Sequence, residues 1–60
     1  MKYLIKSCGS YFTGTFEVGG TIIMVNFSSE KEDAKIFDSF DSAIETLNRI
    51  KAQNATVEEV

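Results

Sequence analysis

Sixty residues carry six Lys plus Arg against nine Asp plus Glu, with no His, Pro or Trp and one Cys, so the chain bears a net charge of -3. A chain this short buries only about 60% of the surface it exposes when unfolded, which leaves one thin core and makes residues 1–60 a single domain. The missing His and the lone Cys exclude Ser-His-Asp and Cys-His nucleophiles, four-ligand zinc sites and an internal disulfide.

Lys2-Tyr3-Leu4-Ile5-Lys6 is rich in β-favouring residues and predicts a first strand, ended by a turn at Ser7-Cys8-Gly9-Ser10. From Tyr11 to Val18 the pattern alternates. Strict alternation places Phe12, Gly14, Phe16 and Val18 on one side and Tyr11, Thr13, Thr15 and Glu17 on the other. Gly14, inside a strand pattern, is expected to relieve twist or to admit the helix closely. Gly19-Gly20 suits the positive φ values of a two-residue type I′ turn, so Thr21 to Phe27 should return antiparallel. In this third strand Ile23, Val25 and Phe27 share one side, with Ile22 and Met24 on the other beside Asn26.

Ser28 to Asp33 is polar and reads as a loop, and Ala34-Lys35-Ile36-Phe37 predicts a brief fourth strand. Ser39 is the expected N-cap of a helix, with Asp41 favourably placed at the positive end of its dipole. Phe40, Ala43, Ile44, Leu47 and Ile50 recur at helical spacing and form one apolar stripe. Arg49 and Lys51 suit the helix C-terminus, Asn54 a stop, and Thr56 to Val60 a last strand. The expected class is therefore α+β: a small antiparallel sheet, β-β-β-β-α-β along the chain, with one helix on one face.

No residue set here assembles a catalytic site. Cys8 has no base beside it in sequence and reads as an inert turn residue. Glu30, Glu32, Asp33, Asp38 and Asp41 form the densest acidic stretch, but it lacks the central Gly of a calcium loop and is interrupted by Ile36 and Phe37. No metal and no cofactor is expected, and the chain is not read as an enzyme. These five acidic residues are instead assigned to polar contacts with a protein partner. One helix covers one face of the sheet, so Tyr11, Ile22 and Met24 are assigned to an apolar patch used in self-association.

The apolar run Ile22 to Val25 is far shorter than the roughly 20 residues of a membrane span, and there is no secretory leader pattern. The expected compartment is the cytoplasm. Lys2 and Lys6 oppose only Glu17 in residues 1–28, whereas residues 29–60 hold four basic and eight acidic side chains. That balance argues against direct nucleic-acid binding, which needs clustered cations. A nucleic-acid or nucleotide binder using the aromatic hairpin with Lys2 and Lys6 is the alternative.

Lys2-Tyr3-Leu4-Ile5-Lys6, the aromatic Tyr11-Phe12, and Ala34 to Ser39 followed by Ala43 resemble small phage- and prophage-encoded ββαβ-type proteins. The resemblance spans most of the chain and carries over no catalytic residue. It implies an inhibitor or modulator that binds a host enzyme or defence complex, or another nucleic-acid-handling protein.

Overall fold

Two-residue turns set the first three strands. The structure, a computed structural model, describes residues 1–52 and 54–60. Strand β1 (Tyr3–Ser7) turns through Cys8-Gly9 into β2 (Ser10–Val18), and β2 turns through Gly19-Gly20 into β3 (Thr21–Ser28). Gly19 and Gly20 adopt φ of 58° and 80°, the left-handed pair that a type I′ hairpin requires. Helix α1 (Phe40–Ile50) then leads back to β4 (Ala55–Glu59), which pairs antiparallel with the whole of β1. The sheet order is β3-β2-β1-β4, every pairing is antiparallel, and the fold is the expected α+β one.

Ala34 to Phe37 forms no full strand. It contributes one bridge, in which Tyr3 and Phe37 exchange backbone hydrogen bonds of 2.9 and 2.8 Å, while the Lys35 N–H donates to the Phe12 carbonyl at 2.9 Å. The reason is geometric. On one side β1 is paired with β4 along its length, and on the other it holds β2 only at Lys6 and Ser7. Beyond Tyr11 the two strands part, and residues 35–37 fill the wedge between them. The element order is thus β-β-β-α-β, with a 3₁₀ turn at Lys31–Asp33 in the polar loop.

Ile5, Phe12, Phe37 and Ala43 are the buried centre, joined at its margin by Tyr3, Val25, Leu47, Ile50, Ala55 and Val57. The Phe12 and Phe37 rings stack 6.4 Å apart at 17°, and Phe27 meets Phe12 edge-on at 6.0 Å. Full burial of such side chains is worth about 1.5–3 kcal/mol each. Phe40, expected on the buried stripe, is half-exposed and packs edge-on to Tyr3 at 5.7 Å. Ser39 caps the helix, its hydroxyl accepting from the Ser42 N–H at 3.2 Å. The helix ends at Ile50, ahead of the expected stop at Asn54, because Lys51 already takes the left-handed conformation that closes a helix.

Candidate protein-interaction surface

Two bulges decide which side chains the hairpin shows to solvent. A β-bulge inserts one residue and resets the alternation beyond it. In β2 the register shifts between Phe12 and Gly14, where Thr13 is the extra residue. Opposite the step from Phe16 to Glu17, the pairing passes from Met24 to Ile22, so Ile23 is the extra residue of β3. Phe12 therefore stays in the core, whereas Phe16 and Val18, expected on the same side, are each 57% exposed. Ile23 and Met24 are 60% and 55% exposed. Gly14 sits at the first bulge with φ of 155°, and a side chain there would meet nothing within 4 Å. Backbone twist, not close approach of the helix, is what its missing Cβ serves.

The same reset brings Thr15, Glu17 and Ile22 to the helix side. There they line an open cleft of about 290 Å³ with Phe12, Lys35 and, from the helix, Arg49 and Ile50. Glu17 accepts from Arg49 Nη2 at 2.9 Å and from the Thr15 hydroxyl at 3.1 Å. The hydrogen bond from Arg49, then that from Thr15, holds its carboxyl below the ordinary 4.5. An ionised carboxylate facing a guanidinium that does not release its proton is a strut between hairpin and helix, with no proton to move near neutrality.

Of the three residues assigned to an apolar patch, the structure keeps Met24 on the outward side, opposite Phe16 in the ladder. Ile22 is not with it but lines the cleft, since the bulge at Ile23 separates the two. Tyr11 is half-buried, with Lys6 Nζ 5.7 Å above its ring. Periodicity alone does not place Phe16, Val18 or Ile23 in the patch. The available signal was a glycine inside a strand pattern, which is a recognised mark of a bulge.

The five acidic side chains are all exposed and lie along the loop and helix entrance. Asp38 pairs with Lys2 at 2.6 Å, and the hydrogen bond from that ammonium lowers its pKa from 3.8. Asp33 accepts from the Ser28 hydroxyl at 3.0 Å. Asp41 stands in the first turn of α1, and Glu30 and Glu32 flank or occupy the 3₁₀ turn. Among the described residues no three Cys, Asp or Glu side chains converge as a metal would need. Cys8 is an exposed free thiol at the β1–β2 turn. No described helix is long and apolar enough to cross a membrane.

The chain matches no family model, no curated protein and no solved structure, so the reading of its function rests on its own residues.

Proposed function

We propose that the chain is a non-enzymatic protein-binding module, oligomeric in use, that engages protein through the outward side of the β2–β3 hairpin. One observation carries this reading. Phe16, Val18, Ile23 and Met24, four large apolar side chains each more than half exposed, are gathered on one hairpin. Exposed apolar clusters on small domains ordinarily mark interaction sites. The acidic stretch Glu30, Glu32, Asp33, Asp38 and Asp41 supplies charge for a basic partner, in keeping with a cytoplasmic, phage-type inhibitor or modulator of a host defence or nucleic-acid-handling protein.

The test is site-specific photo-cross-linking in a bacterial lysate, with the reactive side chain placed at position 16 or 24 and, for comparison, at the exposed helix position 45. Protein adducts from the hairpin positions and not from position 45 are expected. Equal yields from all three, or none from the hairpin, overturn the reading. Reversing charge at Glu32, Asp33 and Asp38 should weaken a foreign adduct and spare a self-adduct.

The second reading, a nucleic-acid binder, is favoured only by the Lys6–Tyr11 pair, which offers a cation beside a half-exposed ring. It requires anisotropy of labelled single-stranded DNA or RNA to rise at low salt and fall as salt is added.

A further inference from the structure

Strand β3 is an outer strand of the sheet, hydrogen-bonded to β2 along one edge and to no strand along the other among the described residues. Edge strands of folded proteins are ordinarily protected by charge, proline or brevity, because their free N–H and C=O groups recruit other strands. Thr21 to Ser28 has none of these protections: it is eight residues long and contains no Lys, Arg, Asp, Glu or Pro. The opposite edge, β4, ends in Glu58 and Glu59 and is only five residues long. The bulge at Ile23 twists the tip of β3, and from Met24 to Asn26 its ladder with β2 is regular until the second step, at Thr13 of β2.

We propose that β3 is the seam of a two-fold dimer, in which β3 of a second copy pairs antiparallel with it and extends the four-stranded sheet to eight strands. This rests on the reading of the hairpin as a protein-binding surface and names its partner. Three observations favour a second copy. An antiparallel pair of identical strands is self-complementary about a two-fold axis, so one uncharged edge serves both sides. Two copies of a chain with net charge -3 repel, so a contact between them needs a surface free of charge, and β3 has no ionised side chain of its own.

The third observation is the apolar surface of the seam strand itself. Ile23, Met24 and Phe27 of β3 are 60%, 55% and 38% exposed, whereas Phe16 and Val18 stand on the inner strand β2, away from the seam. At roughly 150–250 Å² for a large side chain, these three add about 300 Å² per copy to the strand backbone that pairing covers, which makes a small interface, below the ~1,000 Å² total of stable specific ones. An interface of that size predicts a weak dimer that dissociates on dilution from about millimolar to low-micromolar concentration.

The experiment uses the full chain carrying Cys8→Ser, which removes disulfide cross-linking through the turn. Amide hydrogen exchange is followed at about millimolar and at low-micromolar concentration, alongside molar mass by light scattering. Mass should double with concentration, and the β3 amides that do not face β2 should slow by at least about tenfold while those of β4 do not change. A chain that stays monomeric overturns the proposal. So does a dimer whose outward β3 amides exchange as fast as in the dilute chain. The latter result leaves the protein-binding reading standing, with packing face to face in place of edge pairing, and a monomer that cross-links a foreign protein does the same.

As a second arm, Ile23→Lys places like charges across the seam and should weaken the dimer at least about tenfold, whereas Thr56→Lys on β4 should not. Both positions are exposed, and circular dichroism checks that each variant is folded. An unchanged dimer in folded Ile23→Lys removes β3 as the seam.

Discussion

Cys8 occupies the first central position of the β1–β2 turn with φ of 50°, a left-handed conformation that costs most side chains energy. Asn tolerates this conformation well and precedes Gly in the preferred type I′ pair. Cys8→Asn should therefore stabilise the fold by about 0.5–1 kcal/mol, read as a higher urea midpoint with an unchanged slope. A lower midpoint would show that the thiol packs usefully where it sits.

Glu17 and Asp38 titrate below their ordinary 4.5 and 3.8, chiefly because Arg49 and Lys2 donate to them. A lowered carboxyl pKa adds stability that is complete above the ordinary value and is lost as pH falls through the folded value. Neutral solutions should show little pH dependence from either group, and stability should decline only on the acid side. Arg49→Met should raise the Glu17 pKa and flatten its share of that decline. Carboxyl carbon shifts followed from pH 7 downward give the answer, and a Glu17 curve that does not move would sink the strut. Both pairs are exposed, so their effect on overall stability is small.

At the level of elements, helix α1 depends on a short list of local features. Its buried side reduces to Ala43 with Leu47 and Ile50 beside it, so the Ser39 cap matters more than it would on a helix with a broad apolar face. Ser39→Ala should cost about 1 kcal/mol, and Ser39→Asp should retain most of the stability, both by thermal denaturation. Equal loss in both would assign the effect to the Ser39–Ser42 hydroxyl contact at 3.1 Å instead of the cap. The cap, both glycine-containing turns and the last strand are legible from neighbouring residues, since each is a local backbone requirement. The bulges are not. Alternation predicts Phe16 inside, yet an extra residue at Thr13 turns it out, and period-two patterning cannot say where a ladder slips.

For the whole molecule, one ring dominates. Phe12 is 1% exposed and contacts both Phe27 and Phe37, bridging the hairpin and the segment wedged beside β1. Truncating such a residue costs about 3–5 kcal/mol, comparable with the ~3–5 kcal/mol that a core of this size supplies. Phe12→Ala should accordingly collapse the dispersion of the amide proton spectrum at 25 °C. A folded Phe12→Ala chain would mean that the Leu4 side of the sheet, or an assembled form, contributes more than the monomer core suggests.

The amino-acid sequence by itself determined the α+β class, the hairpin, the capped helix and the exclusion of His-based and disulfide chemistry, because composition, turn residues and periodicity act over a few neighbours. Tertiary structure alone decided that Ala34 to Phe37 is a wedge and not a strand, since only the divergence of β1 and β2 leaves it a place. It also decided that Ile22 faces a cleft, that Glu17 and Arg49 meet across 32 positions of chain, and that Phe16 joins Met24 at the surface. These outcomes depend on register between strands, a long-range property that packing sets and that no stretch of ten residues encodes.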